Sequence, residues 1–205
     1  MRKHLRRTLL LLLAAAIPAA LVGSLSTALF TDTATIPSST FTTGTLTLRL
    51  SDSNETDVQN TATSDITFSG MTPGDQVDAT ITTHNTGSLA LRYAATVSST
   101  NADTKALRDQ LSMTIKARGA SATCALAQAD VTNTALFTGT FNPASGILFG
   151  STAQGNQVGD RTLAAAASEV LCFRVSLPSA TGNTFQNATT TGTFTFSAEQ
   201  TANNP

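Results

Sequence analysis

The sequence predicts an all-β fold, a jelly-roll or immunoglobulin-like β-sandwich with one or two short helices, preceded by a signal peptide. Three observations carry that expectation. Apolar and polar residues alternate along a succession of short segments, the two-residue period of half-buried strands. Clusters of Gly, Pro, Asn and Ser separate those segments at close spacing, as hairpin and sandwich connections do. Thr, Ser and Ala dominate a chain with only 12% charged residues and no Trp, which favours β-structure over helix.

Taken in order, residues 1–28 read as an export signal rather than part of the fold. A basic start, MRKHLRR, precedes the apolar run Thr8 to Leu25, broken by Pro18 and Gly23. Ser26 and Ala28 then occupy the −3 and −1 positions of a signal peptidase site. The run is about long enough to span a bilayer, so a retained membrane anchor is the alternative. Four of the twelve bases (Arg2, Lys3, Arg6 and Arg7) belong to this leader, leaving eight against thirteen acids. A mildly acidic mature chain lacks the clustered basic surface that nucleic-acid binding needs. The only membrane contact expected is through the precursor's signal.

Residues 29–37 form an extended arm next to the cleavage site, and 38–200 the sandwich. In the arm, Phe30, Thr31, Asp32, Thr33, Ala34, Thr35 and Ile36 are strand-like residues that cleavage would leave untethered at one end. The residues alone leave three fates open: a linker, a strand of the chain's own domain, or a strand given to a neighbour. After Pro37-Ser38-Ser39, the stretch Gly44 to Leu50 alternates, with Leu46, Leu48 and Leu50 on one face.

Ser51 to Ser64 reads as loop and Asp65 to Phe68 as a short strand with Ile66 and Phe68 inward. Pro73 and Gly74 hold the two central positions of a type II turn. Val77, Ala79 and Ile81 alternate into a strand, His84 to Ser88 is a second turn cluster, and Leu89 to Val97 alternates again. Asn101 to Gln110 is the best helix candidate, with Asn101 or Asp103 as cap. Leu111, Met113, Ile115 and Ala117 form another strand. Gly119 to Asp160 reads as short edge strands and loops, with apolar islands at Ala135–Phe137 and Ile147–Phe149.

Two cysteines in an exported chain argue for one disulfide, Cys124 to Cys172. Closing that loop is worth roughly 4 kcal/mol on a chain-entropy basis. Leu171, Phe173, Val175 and Leu177 share one face of their strand, which puts Cys172 on the outer face with Arg174 and Ser176. Pro178 to Asn187 is loop, Thr189 to Gln200 the last strand with Phe194, Phe196 and Ala198 inward, and 201–205 a polar tail expected to fray.

The residues offer little to catalysis, and no cofactor or metal is expected. A catalytic zinc needs about three protein ligands, usually with a histidine pair on one helix. His84 is the single histidine beyond the leader, and no Gly-x-Ser-x-Gly elbow occurs. The expectation is a protein that is not an enzyme.

In order along the chain, LFTDTA at the end of the leader, FTTGTLTLRL, MTPGD, NTGSLALRY and FQNATTTGTFTFSAEQTANN resemble the TasA/camelysin family of exported bacterial proteins, known as biofilm-matrix fibre subunits. The resemblance implies a jelly-roll sandwich and leader removal by a dedicated signal peptidase. It also implies head-to-tail homopolymerisation by donor-strand complementation, with Phe30 to Ile36 as the donated arm. Camelysin-like members are also described as metallopeptidases. The function expected is therefore a secreted structural subunit of extracellular fibres in the matrix or at the cell surface. A monomeric secreted or cell-surface binding module is the alternative, and a metallopeptidase a more distant one.

Overall fold

The computed structural model describes residues 44–52 and 70–204 of the chain. The leader, the arm Phe30–Ile36 and the expected strand Asp65–Phe68 lie outside those residues. The described strands are β1 (Leu48–Asp52), β2 (Gln76–Asn85), β3 (Leu91–Ser99), β4 (Ser112–Ala117), β5 (Ala135–Thr140), β6 (Ile147–Phe149), β7 (Arg161–Leu163), β8 (Ser168–Ser176) and β9 (Gly192–Gln200). Two short helices join them, α1 (Leu107–Gln110) and α2 (Cys124–Ala129).

The strands make two antiparallel sheets. The first runs β1-β2-β8-β4-β5. In the second, β9 pairs with the full length of β3, from Leu91↔Gln200 to Ser99↔Gly192. The shorter β6 and β7 pair with β3 at Ala95–Thr96 and Leu91–Tyr93, end to end along its other edge. The strands turn most of their apolar residues inward, so Ile81, Met113, Ile115, Leu171, Phe173 and Val175 of one sheet meet Leu91, Tyr93, Ala95 and Phe149 of the other. The Phe173 and Phe194 rings touch edge to face across the gap at 5.2 Å. This is the two-sheet, all-β architecture that the alternation predicts.

The turns follow their chemistry. Asp75 N donates to Thr72 O at 2.9 Å around Pro73-Gly74, and Gly74 takes φ +102°, which glycine adopts without a steric penalty. The Asp75 carboxylate accepts from Thr72 N at 2.7 Å, a bond that lowers its pKa below the usual 3.8. At the second turn Gly87 lies against Thr45 O, where any added Cβ would come within 2.3 Å. That close approach lets Thr86 N and Ser88 N donate to Thr47 O and Thr45 O, each at 3.0 Å, and so pins residues 45–47 ahead of β1.

Three expectations are corrected. The helix predicted over 101–110 is one turn, Leu107–Gln110, because polar side chains capture the backbone before it. Asn101 Oδ1 accepts from Ala106 N at 2.7 Å and Asp103 Oδ1 from Lys105 N at 3.0 Å. Thr104 and Ala106 adopt positive φ there, which ends helical continuity. Within 119–160, expected to be strands and loops alone, Cys124–Ala129 is helical, capped by Thr123 Oγ1 accepting from Leu126 N at 3.3 Å. The tail expected to fray is tied down instead: Thr201 N donates to Ala90 O at 3.1 Å, and the Arg92 guanidinium donates to Asn204 O.

Candidate functional site

The predicted assembly residues Phe30, Thr31, Asp32, Thr33, Ala34, Thr35 and Ile36 lie outside the described residues. What the structure does describe is one side of the sandwich where two edge strands lie on either side of a slot. Among the described residues β1 pairs only with β2, and β9 only with β3. These two edge strands face each other across one long side of the sandwich. Between them is a solvent-open slot of about 170 Å³, lined among the described residues by Leu46, Leu48 and Leu50 from one sheet and Phe196 and Ala198 from the other.

Each wall follows from strand alternation. Leu48 and Leu50 pack partly on the core, while Leu46 at the end of the slot stays 41% exposed. On the facing wall Phe196 is braced from behind by Tyr93 and Phe149, both with ring centroids 6.4 Å away. The sequence shows both alternations. That they line one slot depends on β1 and β9 ending different sheets on the same side, which no local pattern reports.

Polar groups fix the neighbourhood. Arg92 pairs with Glu199 at 3.0 Å, and Glu199 also accepts from Gly155 N at 3.1 Å. Deeper in, Tyr93 donates its hydroxyl to the Glu169 carboxylate, which Arg161 grips through Nε at 2.7 Å and through Nη2. Burial, followed by the Glu169 charge, pushes the Tyr93 phenol well above its usual value. The hydrogen bond to Glu169 likewise raises Arg161. The cluster joins strands of both sheets, and all its groups are engaged with one another.

Cys124 and Cys172 form a disulfide with Cα atoms 5.1 Å apart. It holds α2 on the outer face of the five-stranded sheet, the face on which alternation places Cys172. Gln128 and Lys116, which no sequence motif singles out, complete the attachment. Gln128 Nε2 donates to Cys172 O at 2.8 Å, and Lys116 Nζ to Asp130 O at 2.6 Å. These bonds satisfy two polar side chains buried under the helix.

A family model described as Camelysin metallo-endopeptidase matches residues 4–117, more than half of the chain. The chain belongs to the camelysin family. This agrees with the resemblance of its sequence blocks. The camelysin match runs from within the predicted leader, through the predicted arm, to the end of β4. Helix α2, the disulfide and one wall of the slot, β9, fall beyond it. No curated protein matches the chain.

The family's description implies a catalytic metal, and the described residues do not fit one. Among them, no three His, Cys, Asp or Glu side chains group closely enough to hold an ion. His84 bonds Ser51 through Nε2 at 2.8 Å. Asp78 is bound by both prongs of Arg174 at 2.7 and 2.8 Å, and Asp160 accepts from Ser151 N and Gln157 N at 2.9 and 2.8 Å. Each of these three side chains is committed to a structural bond. Among the described residues no helix is long and apolar enough to cross a membrane.

Proposed function

We propose that this camelysin-family chain is a secreted structural subunit of extracellular biofilm-matrix fibres. Signal peptidase frees the arm behind residue 28, and Phe30 to Ile36 of one copy adds as a strand to the sandwich of the next. A strand added at an open edge satisfies backbone donors and acceptors while alternate side chains fill pockets. A head-to-tail contact of this kind does not close, so it propagates into a filament.

The observation that carries this reading is the side between β1 and β9, where two edges flank an unfilled apolar slot among the described residues. The test compares the mature chain starting at Leu29 with one starting at Ser38, by negative-stain microscopy and sizing. Filaments from the first and folded monomers from the second are expected. Monomers from both, across pH and salt, would replace the fibre reading with a monomeric binding module.

A further inference from the structure

We propose that Cys124 is a thiol-exchange site, where a low-molecular-weight thiol from outside enters the Cys124–Cys172 bridge and expels Cys172. The site is on the outer face of the five-stranded sheet, apart from the slot and independent of the strand-donation reading. It also lies beyond residue 117, where the camelysin match ends.

The two sulfurs of the bridge are unequal. Cys172 is fully buried on β8, a strand hydrogen-bonded to β2 on one edge and β4 on the other. Cys124 is the first residue of α2 and is part-exposed, with exposed neighbours Thr123, Ala125 and Leu126. A thiolate arriving from solvent therefore meets Cys124 and not Cys172.

The leaving side is prepared. Thr80 and Lys116 stand directly across the two ladders from Cys172, so the three side chains form one row on the outer face. The Thr80 hydroxyl lies 3.4 Å from the Cys124 sulfur. Lys116 is buried under α2, its Nζ donating to Gln128 O at 3.2 Å and Asp130 O at 2.6 Å. When the bond to Cys172 breaks, the new thiolate is flanked by a hydroxyl and an ammonium. A neighbouring lysine lowers the pKa of a thiol, and a thiol of lower pKa leaves faster in exchange.

Exchange consumes no oxidant or reductant. The entering thiolate forms a disulfide with Cys124 Sγ as the Sγ–Sγ bond breaks, and the electron pair stays on Cys172 Sγ. Attack by Cys172 on the adduct reverses the step. Gln128 still ties the helix to Cys172 O at 2.8 Å, so exchange loosens α2 and leaves the sandwich folded.

The test treats the folded mature chain with glutathione under native conditions. Excess N-ethylmaleimide in denaturant then alkylates free thiols, and peptide mass spectrometry maps both cysteines. Glutathione on Cys124 and the alkyl group on Cys172 are expected, with circular dichroism unchanged from the folded protein. Glutathione on Cys172, or equally on both, would overturn the assignment. So would exchange that occurs only as the chain unfolds.

Two variants probe the leaving side by rate. Lys116→Met and Thr80→Val should each slow exchange several-fold. A purely structural role predicts the reverse, because loosening α2 opens the bridge, and Gln128→Ala supplies that faster control. Thr80→Val keeps the test available where Lys116→Met does not fold. Unchanged or faster exchange in every folded variant of the two would remove the prepared leaving side, and the proposal with it.

Discussion

The two long sides of the sandwich are finished by different means. On one, the chain itself crosses from β5 to β6 through residues 141–146, and Phe141 is buried as it does so. On the other, β1 and β9 end their sheets with an apolar slot between them and no described residue in it. The first side closes within one chain. On the second, no strand among the described residues pairs with the outer edges of β1 and β9. Burial of that apolar surface is the free energy that the proposed assembly would draw on.

Substitution on the two kinds of surface should separate them by energy. Phe173 is fully buried and meets the Phe194 ring. Phe173→Ala should destabilise the fold by about 3–5 kcal/mol, the range for a large aromatic removed from a packed core. Leu48→Ala, at the slot wall, should cost the monomer about 1 kcal/mol or less, because much of its surface has no packed neighbour to lose. Denaturant unfolding of both variants measures the ratio. Equal losses would mean that the slot is filled within the monomer and the two sides do not differ.

The disulfide gives the next effect. It closes a 48-residue separation, so its loss should cost about 4 kcal/mol on the chain-entropy account. In a domain of this size that corresponds to a melting temperature lower by roughly 8–16 °C. Scanning calorimetry with and without reductant would show it. An unchanged value would mean that Gln128 and Lys116 hold α2 unaided. The bond sits on the outer face of the sheet, away from the slot, so reduction should leave assembly competence per folded molecule intact.

The same contrast explains what the sequence makes legible. The strands declare themselves wherever one face is buried: Met113 and Ile115, or Leu91 and Tyr93, alternate because the sheet beneath them demands it. Helix α2 does not declare itself, because six residues, CALAQA, carry too little periodicity. Its position comes from Cys172 and from the carbonyls that Gln128 reaches, which are forty-four positions away in the case of Cys172. The opposite failure is at 101–110, where good helix formers lose to Asn101 and Asp103 bonding the backbone locally. The slot is legible by halves: Leu46, Leu48 and Leu50 read as one face, Phe196 and Ala198 as another, and only topology joins them.

The smallest effect is the most local probe of the open side. His84 on β2 bonds Ser51 on β1, tying the edge strand to its neighbour on the outer face. Burial lowers the pKa of His84 below its usual 6.5, so the folded chain keeps the imidazole neutral where the unfolded chain begins to take up a proton. The unfolded state therefore binds more protons in that window. Stability from this group is full above pH 6.5 and falls as the pH drops through 6.5 to the lowered folded value, with no further loss below it. A His84→Gln variant should lack that slope, while Phe173→Ala should keep it at a lower overall stability. Hydrogen exchange read strand by strand would sharpen the point. Acidification to about pH 5.5 should loosen the amides of β1 more than those of β8, which is hydrogen-bonded on both edges. Equal loosening would mean that β1 is not an independent edge but part of the same cooperative unit as the core, and the open side would then have no separate energetics for assembly to draw on.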